Sequence, residues 1–230
     1  MEAVVLAGGF GTRLRAVVSD VPKPLAPVGG RPFLHWLLDG LARQGVSRVV
    51  LATGYRADAI RAAVRPDHAG MDIVQIADPA PLGTGGAIWQ ALAACRAERV
   101  FVLNGDTWLG LPLAAMAAHP GATDLLMAVR PVADRARYGS VRLAGDRVLG
   151  IAEKATGGPG LVNAGVYLLS RDLPARRPMP AAFSLETEIL ARPRELDIRA
   201  HLTEAPFLDI GTPDDFARAQ ALIPSWAEAA

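Results

Sequence analysis

The chain has a single cysteine, Cys95, among its 230 residues. It therefore cannot form an intramolecular disulfide, which is typical of proteins of a reducing compartment. No segment approaches the roughly 20 consecutive apolar residues of a membrane-spanning helix, and the N-terminus lacks the basic segment of a signal peptide. We therefore expect a cytoplasmic protein that does not bind a membrane.

An excess of charge of either sign is also lacking. The 24 lysines and arginines nearly balance the 23 aspartates and glutamates. Such a chain has no overall field that would recruit nucleic acid or an anionic membrane, so any phosphate binding must depend on local charges. Hydrophobic residues make up 51% of the chain, which is enough to bury the core of one α/β unit.

Two well-known phosphate-binding loops are missing. The P-loop pattern G-x-x-x-x-G-K-[ST] occurs nowhere in the sequence. The dinucleotide pattern G-x-G-x-x-G would need a third glycine where Leu14 stands, which argues against a dinucleotide-dependent dehydrogenase.

What the sequence does contain is a short apolar strand followed by glycines. Residues 2–7 have the composition of a buried strand of a parallel sheet. Gly8, Gly9 and Gly11 follow, and they let the backbone turn and expose its N–H groups to a ligand. Arg13 adds a forked cation suited to phosphate oxygens. The alternative is a tight turn with a solvated arginine.

Lys23 lies between Pro22 and Pro24. Flanking prolines hold the backbone extended and present the ammonium with little freedom left to lose. We interpret Lys23 as a second phosphate contact, the alternative being a surface charge.

Strands and helices alternate through the first half of the chain. Apolar runs predict strands over 49–52, 71–76 and 100–103, and a helical repeat of leucines predicts a helix over 34–41 that Gly45 ends. This alternation implies βαβ units and a mostly parallel sheet with helices on both faces. In the second half, strand-like runs over 125–129, 139–143, 148–154 and 161–169 predict a smaller, strand-rich subregion, with a hairpin turn at Gly145 and Asp146 between two of these runs. Thr212, Pro213 and Asp215 form a helix-start pattern, which predicts a last helix beginning at Pro213.

The predicted strand 100–103 leads into Asn104, Gly105 and Asp106. Open α/β sheets bind ligands at the carboxyl ends of their parallel strands, and Mg²⁺ prefers one or two carboxylates together with substrate phosphates. We interpret Asp106 as a metal ligand, with a turn-forming aspartate as the alternative.

Further motifs recur along residues 3 to about 216, and in this order they resemble those of the sugar-1-phosphate nucleotidyltransferases, also called nucleotide-sugar pyrophosphorylases. They resemble in particular the subgroup of D-glycero-α-D-manno-heptose 1-phosphate guanylyltransferases. A uridylyltransferase for N-acetylmuramate or hexose 1-phosphate is the alternative. The motifs are Leu6–Leu14, Pro22–Leu25, Pro81–Gly86, Asn104–Asp106, Glu153–Lys154, Asn163–Tyr167 and Asp209–Pro213.

The resemblance implies a Rossmann-like, three-layer αβα fold formed by residues 1–230 as one domain. Residues of about 1–110 would form its nucleotide-binding half and residues of about 111–230 its sugar-binding half. Its substrates would be a nucleoside triphosphate and a sugar 1-phosphate, with Mg²⁺ as cofactor. The oligomeric state stays open between monomer and homodimer.

The resemblance also assigns roles to individual residues. The catalytic residues would be Arg13, Lys23, Asp106 and Lys154, and the metal ligands Asp106 and Asp209. The nucleotide would contact Leu6, Ala7, Gly8, Gly9, Gly11, Thr12, Arg13, Gln75, Pro81, Gly83, Thr84 and Asp106. The sugar and its phosphate would contact Lys23, Tyr138, Gly139, Glu153, Lys154, Asn163, Gly165 and Glu186.

Two other classes of function share part of this pattern. A non-catalytic nucleotide-sugar sensor could keep the nucleotide pocket, although Arg13, Lys23, Asp106 and Asp209 together favour an enzyme. A nucleotidyltransferase for molybdopterin or a choline-type phosphate could share the first loop, although Glu153 and the motif beginning at Asn163 favour a sugar.

Overall fold

A computed structural model describes residues 1–11, 13–14, 17–121, 123–136, 138–152 and 157–229 of the protein. The first half alternates strands and helices, as predicted. Its elements are β1 (Glu2–Ala7), β2 (Pro27–Val28), β3 (Arg31–Pro32), α1 (Phe33–Arg43), β4 (Arg48–Thr53), α2 (Ala57–Ala63), β5 (Asp67–His68), β6 (Met71–Ala77), α3 (Gly83–Leu92), β7 (Arg99–Asn104), β8 (Thr107–Leu109) and α4 (Leu113–Ala117).

The second half is richer in strands, again as predicted. Gly145 takes a positive φ of 62° in the turn between two antiparallel strands, which confirms the hairpin that its sequence indicates. Single helical turns of 3₁₀ or π type lie at Lys23–Leu25, Glu186–Leu190 and Pro193–Glu195. The remaining elements are β9 (Leu125–Val132), β10 (Ser140–Ala144), β11 (Arg147–Ala152), β12 (Gly160–Ser170), α5 (Leu173–Arg176), β13 (Ile198–Leu202), β14 (Phe207–Asp209) and α6 (Pro213–Ala229).

Within the described ranges, one mixed sheet of ten strands runs through both halves, in the order β10-β11-β13-β9-β12-β7-β1-β4-β6-β5. The four neighbours β7, β1, β4 and β6 are parallel. β12 then pairs antiparallel with both β7 and β9. The α/β class is confirmed, but the parallel strands lie mainly in the first half. The strand-rich segment extends this same sheet and does not form a second layer over it.

Both faces of the sheet are buried, which produces the three layers. Along β1, Ala3 and Val5 join the hydrophobic cluster that contains the apolar residues of α1 and α6, whereas Val4 joins the cluster that contains those of α3. Cys95 lies in the second cluster. Burial raises the pKa of its thiol to about 11, so Cys95 stays protonated and behaves as a small core residue.

The last helix begins where its sequence indicates. The Thr212 hydroxyl accepts a hydrogen bond from the backbone N–H of Asp215 at 3.3 Å and donates one to the Asp215 carboxylate at 3.0 Å. These bonds satisfy groups that the first helical turn leaves unpaired. None of the helices in the described ranges combines the length and the apolar composition needed to cross a bilayer.

The order of the parallel strands locates a crevice. From β1 the chain moves outward through β4 to β6, and it then returns by α3 to place β7 on the other side of β1. The carboxyl ends of β1 and β7 therefore flank the point where the strand order reverses. Ligands of open α/β sheets bind at such points.

Candidate active site

Two adjoining cavities open at this crevice. The first has a volume of about 270 Å³, carries most of the charged groups and is here called the polar cavity. The second, of about 410 Å³, is lined mainly by apolar residues and glycines and is called the apolar cavity. Leu6, Gly9 and Thr84 line both of them. A ligand with an apolar end and an anionic end fits across this pair.

The glycine loop after β1 forms the floor of both cavities. Gly8 lies so close to the loop after β4 that a Cβ would stand 3.1 Å from the Gly54 nitrogen. Gly11 adopts a positive φ of 59°, and Arg13, two positions further along the chain, is an exposed residue at the polar cavity. The expected phosphate loop is therefore at the cavity, while Thr12 lies outside the described residues.

Three charged side chains meet at the polar cavity, where Lys23 and Asp106 are lining residues and Asp209 contacts Lys23. The Lys23 ammonium lies 2.6 Å from Asp106 Oδ2 and 3.3 Å from Asp209 Oδ1. Asp106 follows β7, Asp209 ends β14, and the antiparallel pairing of β14 with β8 brings Asp209 opposite Thr107. Residues that are up to 186 positions apart in sequence thus converge on one ammonium.

The surroundings of Asp209 disfavour a second negative charge. Burial raises the pKa of the Asp209 carboxyl, and the neighbouring Asp106 raises it further, while Lys23 opposes both effects. Two carboxylates this close need a cation between them. In this structure the cation is the Lys23 ammonium.

The same pair of carboxylates would supply oxygen ligands to a magnesium ion. Mg²⁺ binds hard oxygen ligands and commonly takes only one or two carboxylates, with substrate phosphates and water completing its shell. No cluster of three or more metal-binding side chains occurs among the described residues. Asp106 and Asp209 would therefore hold the ion jointly with a phosphate ligand, and not in a cage made by the protein alone.

The N-terminus of α3 forms hydrogen bonds with residues 185 and 186, where the π-helical turn begins. Thr84 Oγ1 donates to the Glu186 carboxylate at 2.5 Å and accepts from the Leu185 N–H at 3.0 Å. Ser184 Oγ also donates to Glu186, at 2.8 Å. Thr84 and Glu186 both line the polar cavity, and Pro81 and Gly83 line the apolar one. Four predicted contacts are therefore at the site.

Of the residues expected to contact the sugar, some lie next to the polar cavity and others contact other parts of the protein. Gly165 adopts a positive φ of 72° and packs on Asn104, a residue that lines the polar cavity. Asn163 donates to Tyr167 at 2.6 Å and accepts from the Gly165 N–H at 3.0 Å, so it is engaged within the protein. Tyr138 packs its ring 5.6 Å from that of Phe207.

Several predicted residues are not brought into either cavity. Tyr138, Gly139 and Asn163 lie outside both linings, and so does Ala7, whose side chain is buried in the core. Gln75 donates its amide to the Val64 carbonyl at 3.2 Å, on the same sheet face as Ile73. Glu153 and Lys154 lie outside the described residues.

One functional candidate was missed by the sequence reasoning. Asp78 directly follows β6 and lines the apolar cavity. A carboxylate at the carboxyl end of a parallel strand is the same signal that singled out Asp106. The predicted strand over 71–76 ends close enough to Asp78 for this rule to have found it.

Gly105 is required by a close approach of two strands. Its N–H donates to the Leu6 carbonyl at 2.9 Å, and a Cβ at Gly105 would overlap that oxygen and lie 3.0 Å from the carbonyl carbon. We expect Gly105→Ala to reduce the free energy of unfolding by about 2 kcal/mol or more, because backbone must move. Gly40→Ala, in the middle of α1, is the control.

Denaturant unfolding of the two variants measures this difference. The nearest atom to a Cβ at Gly40 is 3.8 Å away, so alanine there should stabilise the helix by about 0.5–1 kcal/mol. An unchanged unfolding midpoint for Gly105→Ala would contradict the steric argument.

Known proteins match this chain over nearly its full length. Residues 2–225 match the sequence profile of the family described as "Nucleotidyl transferase". The chain is 36% identical, over 223 residues, to the D-glycero-α-D-manno-heptose 1-phosphate guanylyltransferase of Aneurinibacillus thermoaerophilus, a match that covers 96% of this chain and 97% of that one. It is 35% identical, over 217 residues, to the enzyme of the same name from Campylobacter jejuni, with 94% and 97% covered.

Solved structures are also similar. The crystal structure of HddC from Yersinia pseudotuberculosis has a TM-score of 0.87 and 37% sequence identity, with 95% of this chain and 97% of that chain covered. A second crystal structure of HddC, complexed with GMP-PN, has a TM-score of 0.86.

Proposed function

Since the chain belongs to the nucleotidyl transferase family, we propose that it transfers a nucleotidyl group from a nucleoside triphosphate to a sugar 1-phosphate and releases pyrophosphate. The single observation that carries this proposal is the meeting of Lys23, Asp106 and Asp209 at the polar cavity, beside the larger apolar cavity. A lysine and two carboxylates that can hold a metal cation thus adjoin a space suited to a base.

The two cavities suggest how the nucleotide is oriented. The base and ribose occupy the apolar cavity, against the loop after β1 and the N-terminus of α3. The triphosphate extends past Gly9 into the polar cavity, where Arg13 binds its β- and γ-phosphates. Backbone N–H groups of the glycine loop supply further donors to these anionic oxygens.

The reaction needs charge neutralisation more than proton transfer. An oxygen of the sugar 1-phosphate attacks the α-phosphorus, and the bond from that phosphorus to the pyrophosphate breaks. The attacking oxygen is already anionic at neutral pH, so no general base is required. In agreement, none of the four histidines, all of which the structure describes, is a lining residue of either cavity: His35 contacts the Ala63 carbonyl, His68 contacts Asp39, and His119 faces Asp146.

Lys23 and the two aspartates bring the anions together. When bound by Asp106 and Asp209, Mg²⁺ supplies positive charge to the phosphate oxygens around the reacting phosphorus. Lys23 reduces the repulsion between the incoming phosphate and the triphosphate, and the fixed positions of these groups hold the reactants in line. Lys154 is proposed to bind the sugar phosphate and Glu153 the sugar hydroxyls.

For the substrates we propose GTP and D-glycero-α-D-manno-heptose 1-phosphate, with GDP-heptose as the product, used for cell-surface glycans. The support is the name of the two relatives that match over nearly the full length of both chains. We place the reaction in the cytoplasm, where nucleoside triphosphates are abundant.

A pyrophosphate-release assay tests the proposal. The wild-type protein, with Mg²⁺, is offered each of four nucleoside triphosphates together with several sugar 1-phosphates, including the heptose. We expect turnover with GTP and the heptose phosphate at least tenfold above that of any other pair. Turnover with UTP and another sugar would keep the reaction type but replace the substrates. Absence of turnover with every pair would contradict an enzyme of this class.

A further inference from the structure

Thr107 is a buried residue whose hydroxyl serves one neighbour. It begins β8, directly after Asp106, and is 5% exposed. Its Oγ1 donates to Asp106 Oδ1 at 3.1 Å, the one hydrogen bond of this hydroxyl within the described residues. A buried hydroxyl is unfavourable unless it is hydrogen-bonded, and a valine would fill nearly the same volume without that cost. The hydroxyl is therefore explained by the carboxylate and not by packing.

The pairing of β8 with β14 also places Thr107 beside the second aspartate. Thr107 lies directly opposite Asp209 in this antiparallel pair, and directly opposite residues have their side chains on the same face. The backbone here is held in place, since the Ile210 N–H donates to the Asp106 carbonyl at 3.0 Å. Thr107 thus contacts the first aspartate and neighbours the second.

The Lys23 ammonium shows how a cation meets the two aspartates. It contacts one oxygen of each, Asp106 Oδ2 and Asp209 Oδ1. The other oxygen of Asp106 accepts from the Thr107 hydroxyl. Asp209 is oriented by the Gly211 N–H, which donates to its Oδ1 at 2.5 Å. A neighbouring donor therefore holds each carboxylate so that it presents a single oxygen to the cation.

Single-oxygen contacts suit Mg²⁺ better than Ca²⁺. Mg²⁺ requires near-octahedral geometry with oxygens at about 2.0–2.1 Å and takes one or two carboxylates. Ca²⁺ binds roughly six to eight oxygens at longer distances, and it accepts both oxygens of one carboxylate. A carboxylate that is free to turn can offer both of its oxygens to the larger ion. The fixed orientation of Asp106 therefore bears on which ion is bound.

We propose that Thr107 is a positioning residue, which holds Asp106 Oδ1 so that Oδ2 is directed at the metal ion, and which thereby favours Mg²⁺ over Ca²⁺. This inference rests on the proposed function, because it assigns a metal ion to Asp106 and Asp209. Thr107 is not a lining residue of either cavity, so it acts through Asp106. Hydrogen bonds to metal ligands typically change metal affinity by about 10–100-fold.

Thr107→Val removes the donor and keeps the branched shape. We expect the Kd for Mg²⁺ to rise about 10-fold. The Kd for Ca²⁺ should change by less than about 3-fold, because a carboxylate that can turn offers this ion both oxygens. The preference for Mg²⁺ over Ca²⁺ falls as a result. Thr107→Ser keeps the hydroxyl and should restore the wild-type preference.

Displacement of Mn²⁺ measures these affinities without turnover. Mn²⁺ is added to the nucleotide-free protein, the free ion is quantified by electron paramagnetic resonance, and Mg²⁺ or Ca²⁺ is then titrated in. The site that is followed is the one that Asp106→Asn abolishes. Thr53→Val is the matched control, because Thr53 is buried at the end of β4 and its hydroxyl donates to the Ile76 carbonyl at 3.1 Å. The control should keep the wild-type ratio of the two affinities.

The outcomes separate this inference from the proposed function. If folded Thr107→Val keeps the wild-type ratio of Mg²⁺ to Ca²⁺ affinity, or if Thr107→Ser behaves as Thr107→Val does, the role of Thr107 is overturned and the metal ligands stand. A wild type that binds no Mn²⁺ at Asp106 would overturn the inference and the metal ligands together. A shifted ratio, together with no turnover in the pyrophosphate assay, would keep the inference and reject the enzyme. If Thr107→Val fails to fold, Thr107→Ala, which also lacks the hydroxyl, gives the same comparison.

Discussion

Asp106→Asn is expected to lower kcat/KM for pyrophosphate release by about 10³-fold, which corresponds to about 4 kcal/mol of transition-state stabilisation. The substitution keeps the size of the side chain and the acceptor for the Thr107 hydroxyl, which lies 3.1 Å from Asp106 Oδ1. It removes a full negative charge from the pair of carboxylates that would bind Mg²⁺ with the substrate. The lost activity therefore reports on charge and not on packing.

Titration with Mg²⁺ distinguishes a metal ligand from a structural aspartate. The Mg²⁺ concentration for half-maximal activity should rise by at least 10-fold in Asp106→Asn, and EDTA should abolish wild-type turnover until excess Mg²⁺ is added. Asp214→Asn, an exposed aspartate in the first turn of α6, should behave as the wild type does. Full activity of Asp106→Asn at saturating Mg²⁺ would rule out the metal assignment.

The parts of the fold that depend on local sequence were predicted well. The apolar period of α1, the cap at Thr212 and the turn at Gly145 are each determined by residues within a few positions of one another, and each is observed. The buried strands β1, β4, β6 and β7 follow for the same reason. Their parallel pairing then fixes the edge of the sheet at which a site can form.

The antiparallel half shows what local patterns leave undetermined. Strand β13 joins β9 in parallel, and among the described strands β14 pairs with β8 alone. Both were missed, because pairing partners far apart in sequence decide whether a short run becomes a strand. The same limit applies to the contact between Lys23 and Asp209, which requires the whole chain between them to be folded.

Strand alternation explains the different outcomes for Gln75 and Asp78. Side chains at odd positions of β6 face the cluster around α1, and Gln75 follows Ile73 onto that face. Gln75 is close in sequence to Pro81 and Gly83, which line the apolar cavity, but this proximity did not predict where its side chain lies. Asp78 lies beyond the strand, at the edge where the crevice opens. The tendency of ligands to bind at the carboxyl ends of parallel strands identifies it.

The role of Lys23 can be separated from that of the metal because its ammonium contacts both candidate ligands. Among the causes that act on the pKa of the Asp209 carboxyl, burial and Asp106 raise it, and Lys23 lowers it. Removing the ammonium should raise that pKa further. A carboxyl whose pKa is higher in the folded than in the unfolded protein loses stability as pH rises through the interval between the two values.

Lys23→Met is therefore expected to destabilise the metal-free protein more at pH 8 than at pH 5, and to lower kcat/KM about 10²-fold. Methionine keeps the apolar contacts of the lysine stem but supplies no charge. With no ammonium between the two aspartates, Mg²⁺ should raise the unfolding midpoint of Lys23→Met by more than it raises that of the wild type.

Thermal unfolding at both pH values, with and without Mg²⁺, measures these differences, with Arg61→Met as the control. Arg61 pairs with Asp58 at the surface, where loss of the pair has little effect on stability. An identical pH dependence and Mg²⁺ response in wild type and Lys23→Met would show that the ammonium does not neutralise the two aspartates.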